Sequence, residues 1–335
     1  MSSRTCFGIS FESKLEILKQ VQDDRLQAMQ NNPMVSVIIV HLYGVDFLVN
    51  CLESVFKSDY PNLEVVVVFN GHLDNSFEIV KERFPQTVTI KNEKNLGFVF
   101  PNNQGIKKSS GEIIFLLNDD TTIHPRLISI LAEKLINSEA VGVVGPKIYF
   151  MNEPEKIWFA GGAVDWRRQT TEHLGRGNRD NPENSTEGEV DFITGCALMI
   201  KKEMIEKIGL LNERLFAFYE DADWCQRAKK AGYKILYVPF GGVWHAKSAT
   251  AGSVFFGSEK QKNRLWLAGA YFWRVFMKEF RIYRNGFYFF SRYAPFQWKA
   301  VFWLKFVFVL TPVFLWKVLL RLPFSFLSLV KGKSL

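Results

Sequence analysis

Short apolar runs alternate with segments of helical periodicity along the first third of the chain. The apolar runs are residues 35–40, 63–69, 88–90 and 113–117, and the helical segments are residues 47–57, 77–84 and 102–109. A short apolar run predicts a buried strand, and apolar residues three and four positions apart predict a helix. Strands that alternate with helices form a mostly parallel sheet, so the pattern predicts the α/β fold class.

The pattern changes after residue 145. Residues 141–145 and 190–200 predict two further strands, the second of which contains Gly195 and Cys196, and residues 158–166 suggest hairpins. An aromatic, acidic segment, residues 216–224, then leads into another helix. At the start of the chain, residues 1–32 predict a helix that ends before Pro33, because the residue before a proline disfavours helical backbone.

Polar residues follow four of the predicted strands, at residues 41–44, 70–74, 95–98 and 118–121. In parallel sheets, ligands bind beyond the carboxyl ends of the strands. The last segment reads Asn118-Asp119-Asp120-Thr121, and carboxylates at the exit of a buried strand meet water, a hard cation, or a phosphate held through that cation. Taken alone, this tetrapeptide is more often a plain turn or a helix N-cap. A metal–diphosphate site is therefore a hypothesis that needs support from the rest of the sequence.

A second acidic group lies a hundred positions later, in Glu220-Asp221-Ala222-Asp223. Such carboxylates at the start of a helix are also explained by their favourable interaction with the helix dipole. On its own, the segment therefore leaves a structural and a catalytic role equally open.

Composition narrows the function classes. The chain has 335 residues and is 47% hydrophobic, enough to bury a full core. Its four cysteines show no C-x-x-C spacing, which argues against a zinc site or a disulfide framework and fits a reducing compartment. The sequence lacks a glycine-rich dinucleotide motif and a P-loop motif, which disfavours a nicotinamide enzyme or an ATPase. The polar N-terminus lacks a signal-peptide pattern, so we expect a cytoplasmic protein.

The net charge of +8 is concentrated at the C-terminus. Residues 280–335 contain nine Lys or Arg and no Asp or Glu, while the rest of the chain has 33 basic against 34 acidic residues. Basic residues mixed with Phe, Trp, Leu and Val are typical of a segment that lies on a membrane, so the charge predicts contact with the inner face of the cell membrane and not with nucleic acid.

A membrane span is disfavoured for this tail. Its uncharged stretch between two lysines, residues 306–316, contains Pro312 and is shorter than the roughly 20 residues that a spanning helix needs. The alternative to a membrane surface is a helical subdomain that packs on the core or on a second copy of the chain.

Considered together, the two acidic groups and the motifs around them resemble a family 2 glycosyltransferase of GT-A fold, in the bacterial rhamnosyltransferase-like branch. The resemblance runs from residue 35 to residue 248. Its residues are 35–40, Asn70 with Asp74, Asn95-Leu96-Gly97-Phe98, Asn102-Asn103, Gly105-Ile106, 118–121, Gly195, 220–223, Arg227, Gly232-Tyr233, and Trp244-His245 with Ser248.

The resemblance implies transfer of a sugar from a nucleotide-diphosphate sugar to a hydroxyl of a lipid-linked or growing surface glycan, with inversion at the anomeric carbon. It implies Mg²⁺ or Mn²⁺ as cofactor, with Asp120, His245 and Asn118 at the metal. Asp221 matches the general base and Glu220 the residue that orients it, and Asp223 with Arg227 forms a helix pair. The donor-binding residues implied are His41, Tyr43, Asn70, Asn95, Gly97, Asn102 and Asp119, and the acceptor-binding residues are Gly195, Cys196 and Trp224.

The resemblance also implies a domain organisation. Residues 1–32 form an N-terminal helix, residues 33–260 a GT-A domain, and residues 261–335 a basic aromatic tail. Within the GT-A domain, residues 33–122 bind the nucleotide-sugar and residues 123–260 the acceptor. The oligomeric state stays open, since the tail also suits a homo-oligomer contact.

Three departures from the family pattern affect the nucleotide side. The chain has His41-Leu42-Tyr43 in place of an Asn-Tyr-Asn-like turn, Phe69 in place of an aspartate, and Phe100-Pro101 in place of two glycines. Phe69 cannot accept a hydrogen bond from a base, so it either stacks or closes the core. These changes support one alternative function, a non-catalytic GT-A-fold subunit of a glycan-assembly complex.

Overall fold

The structure is a computed structural model that describes residues 32–71, 74–246 and 264–312, without the side chains of residues 264–275 and 309–310. The helix predicted for residues 1–32, Ser248 of the family motif and the tail beyond residue 312 lie outside the described residues.

The predicted alternation of strands and helices in the first third of the chain is confirmed. Its elements are β1 (Val35–His41), α1 (Val45–Phe56), β2 (Leu63–Asn70), α2 (Ser76–Arg83), β3 (Val88–Asn92), α3 (Val99–Lys108) and β4 (Ile113–Asn118). β1 lies between β2 and β4, β2 pairs with β3, and all three pairings are parallel. The carboxyl ends of these strands therefore meet at one edge of the sheet, where His41 is opposite Phe69 and Val40 is opposite Asn118.

The second part of the chain extends the same sheet. Its elements are β5 (Thr121–Ile123), α4 (Leu127–Ile136), β6 (Val141–Phe150), β7 (Glu153–Phe159), β8 (Gly162–Asp165), β9 (Thr170–His173), β10 (Gly188–Glu189), β11 (Ala197–Lys201), α5 (Lys202–Ile208), α6 (Glu220–Lys230) and β12 (Lys234–His245), with 3₁₀ turns at Pro182–Ser185 and Glu213–Leu215. The strand order is β10-β12-β6-β11-β4-β1-β2-β3, with β5 beside β12 and β7 beside β6, and β8 and β9 form a separate hairpin. β12 and β6 are parallel, and β11 runs antiparallel to its two neighbours, β4 and β6. Together with the parallel pairings of β1 to β4, this arrangement confirms the predicted mostly parallel sheet.

One strand prediction was wrong. Residues 190–200 do not form a continuous strand, because only Ala197–Lys201 joins the sheet as β11 and Gly195 and Cys196 lie in a turn before it. In this turn the Gly195 amide donates to the Asp221 carboxylate at 3.1 Å, and the Cys196 amide donates to Thr194 Oγ1 at 3.4 Å. Side-chain acceptors have replaced the ladder hydrogen bonds that an apolar run would otherwise make.

Two C-terminal helices complete the described chain, α7 (Arg264–Tyr293) and α8 (Phe296–Lys305), followed by a π-helical turn at Phe306–Leu310. Phe289, Phe290 and Tyr293 of α7 are buried, and so is Phe302 of α8. In the described residues, one face of the tail thus packs on the core, as a helical subdomain would. Within that same part of the chain, we find no helix with the length and apolarity to cross a membrane.

Close packing between α3 and the sheet explains the glycine of the Gly105-Ile106 motif. A Cβ atom at Gly105 would overlap with the Ile38 side chain of β1 and lie 3.4 Å from Val68 Cγ2 of β2. The helix can approach the sheet this closely because residue 105 has no side chain.

We therefore expect Gly105→Ala to lower the free energy of unfolding by about 1–3 kcal/mol, the usual cost of overpacking a core. Gly188→Ala is the matched control, because no atom lies within 4 Å of the place that its new methyl group would occupy. Urea denaturation of the two variants measures the difference, and equal stability would contradict the packing explanation.

Candidate active site

The ends of β4 and β12 bring Asp120 and His245 together. β12 pairs with β5 so that His245 is opposite Thr121, and the Ala246 amide donates to the Asp120 carbonyl at 2.9 Å. As a result, His245 Nε2 lies 3.1 Å from Asp120 Oδ1, and both side chains are buried. Burial alone would lower the pKa of His245, but Cys196 and Asp120 raise it to about 10.

His41, at the end of β1, has a different partner. Its Nδ1 lies 2.7 Å from Asp119 Oδ2, its Nε2 lies 2.7 Å from Ser76 Oγ, and Asp74 Oδ1 is 3.8 Å from the same Nε2. Burial would lower the pKa of His41, but Asp119 and Asp74 raise it to about 9. Burial raises the pKa of Asp119, an effect that the hydrogen bond with His41 opposes. His41 and Asp119, both predicted to bind the donor, thus form a buried hydrogen-bonded pair at the carboxyl ends of β1 and β4.

Asn70, at the end of β2, holds the loop of residues 95–98. Its amide nitrogen donates to the Gly97 carbonyl at 2.8 Å and to Asn95 Oδ1 at 3.2 Å, and its Oδ1 accepts from the Leu96 amide at 3.0 Å. Asn102 ties the same loop to α3 through a 2.8 Å hydrogen bond to the Phe98 carbonyl. The predicted donor-binding residues Asn70, Asn95, Gly97 and Asn102 therefore form one network. In it, the three asparagine side chains bind backbone groups of the loop, including the amide and carbonyl of Gly97.

The turn of residues 194–196 connects the two acidic groups. On one side, the Gly195 amide donates to Asp221 Oδ2. On the other side, the Cys196 carbonyl accepts from the Asn118 amide at 2.9 Å, next to Asp119 and Asp120. A side chain at position 195 would lie 3.2 Å from the Phe98 ring, so the glycine also lets the loop of residues 95–98 approach. The predicted metal and base residues thus lie at the same edge of the sheet, one short turn apart.

Glu220 and Asp221 begin α6, and neither forms an ion pair in the part of the chain that the structure describes. Asp221 is half-buried, and its Oδ1 accepts from the Ala222 amide at 2.8 Å. Burial, followed by the neighbouring Asp221 charge, raises the pKa of Glu220 to about 8. Burial likewise raises the pKa of Asp221 against the hydrogen bonds from the Gly195 and Ala222 amides. Both carboxylates therefore attract protons more strongly than exposed ones do.

The segment before α6 is held in an unusual backbone conformation. Phe216, Phe218 and Tyr219 have positive φ angles of 56°, 74° and 68°. For residues other than glycine, each such angle costs about 1–3 kcal/mol and persists only where the surroundings enforce it. We call residues 214–219 the 214–219 loop. Its conformation fixes where α6 begins and hence where Asp221 points.

Two other members of the acidic segment have structural roles. Asp223 is 1% exposed; its Oδ2 pairs with Arg227 Nε at 2.9 Å, which is the helix pair that the sequence predicts, and its Oδ1 accepts from the Tyr293 hydroxyl at 2.7 Å. Trp224 is also 1% exposed, and its indole N–H donates to the Gly209 carbonyl at 2.9 Å. This placement in the core does not support the predicted role of Trp224 in acceptor binding.

One departure from the family pattern, Phe69, has a simple explanation in packing, and the structure places the other two. Phe69 is buried and packs edge-on against both His41 and Phe77, so it closes the core. Tyr43 is half-buried in the turn after β1, where the Gly44 amide donates to Asp74 Oδ2 at 2.8 Å. Phe100 is 39% exposed at the start of α3 and leaves an aromatic surface near the loop of residues 95–98.

Sequence reasoning missed the contribution of α7. Asn285 and Tyr293 contact the segment that carries Asp221, and the aromatic character of this helix had indicated a membrane surface. The signal available in the sequence was Asn285, a single amide side chain in a helix rich in Phe and Tyr; the structure shows that it is buried.

Candidate metal ligands are few. Within residues 32–71, 74–246 and 264–312, no group of three or more His, Cys, Asp or Glu side chains is arranged to hold a metal ion. The Asp120–His245 pair is thus a two-residue arrangement, with the half-buried Asn118 two positions before Asp120.

Comparison with known proteins agrees with this architecture. A protein of Sinorhizobium fredii named y4gI and described as uncharacterized is 28% identical over 242 residues, which cover 68% of this chain but only 26% of the relative. An N-acetylglucosaminyl-diphospho-decaprenol L-rhamnosyltransferase of Mycobacterium tuberculosis is 24% identical over 224 residues, 60% of this chain and 72% of the relative.

A solved structure supports the fold. The mannosyltransferase PcManGT from Pyrobaculum calidifontis, in complex with GDP-Man and Mn²⁺, superposes with a TM-score of 0.51 over 96% of this chain and 86% of that chain, at 16% identity. The family described as glycosyltransferase like family 2 matches residues 33–268, well over half of the chain. This protein therefore belongs to glycosyltransferase like family 2, and its sheet has the GT-A architecture.

Proposed function

We propose that this protein is an inverting glycosyltransferase that moves a sugar from a nucleotide-diphosphate sugar to a hydroxyl of a lipid-linked or growing surface glycan. The observation that carries the proposal is the turn of residues 194–196, which joins the Asp221 carboxylate to the strand end that bears Asp120. A donor bound at Asp120 and an acceptor bound at Asp221 would then meet above this turn.

The donor side suits a divalent cation. Two ligands that share one Mg²⁺ or Mn²⁺ at about 2.1 Å in octahedral geometry lie about 3 Å apart. Asp120 Oδ1 and His245 Nε2 are 3.1 Å apart, a spacing that suits this geometry and is also that of their hydrogen bond. To bind the cation, His245 would give up its proton, and Asn118, two positions before Asp120, would be the third ligand. Cations of this kind take their remaining ligands from water and from substrate phosphates. When bound, the cation would neutralise charge that develops on the leaving diphosphate.

The acceptor side suits general base catalysis. The acceptor oxygen attacks the anomeric carbon as the bond from that carbon to the diphosphate oxygen breaks, and the hydroxyl proton passes to the Asp221 carboxylate. Burial strengthens Asp221 as a base by raising its pKa, and the Gly195 and Ala222 amides fix its orientation. Glu220 shares the site and orients the base or the acceptor.

The relatives support the substrate classes at a coarser level. The name of the Mycobacterium tuberculosis relative describes a lipid-diphosphate acceptor, and the Pyrobaculum calidifontis structure holds a nucleotide-sugar with Mn²⁺. By analogy, we infer a nucleotide-sugar donor and a lipid-linked or glycan acceptor for this chain. We propose action in the cytoplasm, at the inner face of the membrane.

An apolar surface on the C-terminal segment supports the membrane proposal. Its members are large side chains that face solvent, with lysines between them. They are Phe296, Trp303, Leu304, Val307 and Phe308, of which Phe296 is 92% exposed and Phe308 is 72% exposed. We call this set the α8 surface. A surface of aromatic and aliphatic groups beside basic residues favours the interface of a membrane with anionic lipids.

The proposed activity predicts that one nucleotide-sugar, with Mg²⁺ or Mn²⁺, stabilises the protein and is consumed. We would screen nucleotide-sugars by melting temperature and by release of nucleoside diphosphate, with a chelator as control. Asp120→Ala should lose the stabilisation by donor plus metal, measured against the unliganded melting temperature of the same variant. If no donor stabilises the wild-type protein, the non-catalytic subunit becomes the better description.

Asp221→Asn should lower the turnover number by at least about 100-fold, because general base catalysis contributes about 10²–10⁴-fold. Donor affinity measured by calorimetry should stay within about twofold, since the base is not needed to bind the nucleotide. Lys229→Gln, which removes the ion pair with Asp191 in the last turn of α6, controls for nonspecific effects on the helix. A turnover number unchanged in Asp221→Asn would exclude this base.

Replacing Phe296, Trp303 and Phe308 with Ser should weaken binding to anionic vesicles by about tenfold or more, since each large side chain contributes roughly 1.5–3 kcal/mol when fully buried. Exposed apolar residues elsewhere, Ile136→Ser and Leu174→Ser, provide the control. Cosedimentation with vesicles measures the effect. Equal sedimentation of the triple variant and the wild-type protein would contradict membrane contact through the α8 surface.

A further inference from the structure

The 214–219 loop depends on contacts from outside itself. Each carbonyl from residue 214 to residue 218 accepts a hydrogen bond from another part of the chain. The donors are Arg284 for Arg214 (2.7 Å), the Phe98 and Val99 amides for Phe216 (2.8 and 3.1 Å), and the two hydrogens of Asn285 Nδ2, which Leu215, Ala217 and Phe218 share (2.7, 2.9 and 3.0 Å). The loop is therefore held on one side by residues 98–99 and on the other side by α7.

Asn285 makes most of the contacts on the α7 side. Its side chain is 1% exposed, and its amide nitrogen lies within 3.0 Å of three carbonyl oxygens of the loop. The orientation of the amide is fixed, because its Oδ1 accepts from the Arg284 guanidinium at 2.9 and 3.0 Å. Arg284 in turn donates to the Arg214 carbonyl. One adjacent pair of α7 residues thus provides the donors for four of the five carbonyls.

The same helix also holds the far end of the segment. The Tyr293 hydroxyl donates to Asp223 Oδ1 in the first turn of α6, two turns of α7 beyond Asn285. Between these contacts, the Tyr219 ring packs against Phe289 and Phe290 of α7. Glu220 and Asp221 therefore lie between two polar contacts with one rigid helix.

We propose that Asn285 is a positioning residue for the transfer reaction, which acts through Asp221. Its amide enforces the three positive φ angles of the 214–219 loop, and this conformation directs Asp221 toward the Gly195 amide and the acceptor. The inference rests on the proposed role of Asp221 as the base. Asp120 and His245 are fixed by strand pairing and do not touch Asn285, and Asn70 and Asn102 hold the loop of residues 95–98 without it, so we expect donor binding to survive the loss of the Asn285 amide.

The test compares Asn285→Ala with Tyr288→Phe. The control removes, from the same helix, the hydroxyl that accepts a 2.9 Å hydrogen bond from Asn212 Nδ2. Among the described residues this hydroxyl donates to no carbonyl of the 214–219 loop, and Asn212 keeps its own hydrogen bond from the Arg214 amide. We expect Asn285→Ala to lower the turnover number by about 10- to 100-fold, the effect of moving a reacting group by about 1 Å. The donor dissociation constant should stay within about twofold, and Tyr288→Phe should keep the wild-type turnover number.

Two further measurements separate positioning from general stability. Hydrogen exchange should become faster in residues 214–223 of Asn285→Ala and stay unchanged in the strands of the sheet. In an Asp221→Asn background, Asn285→Ala should reduce the residual rate by less than about twofold, because both changes act on the same step. If Asn285→Ala does not fold, Arg284→Gln is the milder variant, since Arg284 is exposed and serves only one loop carbonyl.

The outcomes distinguish this inference from the proposed function. Full activity in Asn285→Ala and Arg284→Gln, with an inactive Asp221→Asn, would overturn the positioning role alone. Wild-type activity in Asp221→Asn would instead overturn the base assignment. A rate loss in Asn285→Ala that multiplies with that of Asp221→Asn, or faster exchange throughout the sheet, would show that Asn285 acts by general stability and contradict the inference.

Discussion

The hydrogen bond from the Gly195 amide to the Asp221 carboxylate connects the two halves of the site. Without it, the first turn of α6 and the end of β4 would be separate features of the surface. The carbonyl of the next residue, Cys196, accepts from Asn118, so one turn contacts both acidic groups. A side chain at its centre would begin 3.2 Å from the Phe98 ring, so the glycine lets the ring approach without being displaced. The geometry of this turn therefore sets the distance between the two ends of any reaction that occurs there.

Charge is distributed unequally across the turn. On the β4 side, the buried carboxylates have imidazole partners, His41 for Asp119 and His245 for Asp120. On the α6 side, Glu220 and Asp221 have no cation in contact among the described residues, while the nearby Arg227 pairs with Asp223. The first arrangement is suited to holding groups in fixed charge states, and the second to taking up a proton. This difference supports the proposed division of the site into a donor side and an acceptor side.

The sequence predicted the local elements well, because strand and helix periodicity depends on neighbouring residues. It also predicted which strand ends meet, because parallel pairing brings their carboxyl ends to one edge. It failed where a long-range contact decides the outcome. The apolar run of residues 190–200 breaks at Gly195 because a carboxylate 26 positions away accepts its amide. His41 and Trp224 suited ligand contacts by motif, and the sequence did not reveal their long-range partners, Asp119 and the Gly209 carbonyl. The aromatic α7 has the composition of both a membrane surface and a core helix, and only its buried face distinguishes the two.

The position of α7 in the chain has a consequence for how the functional unit is defined. The family match ends at residue 268, within the first turns of this helix, whereas Asn285 and Tyr293 lie beyond that boundary. A fragment cut at the boundary would retain every recognised motif, from the first strand to His245, and would still lack the groups that hold the start of α6. The family model therefore ends before the groups that hold the start of α6, and expression or domain-exchange experiments with this protein should extend at least through Tyr293.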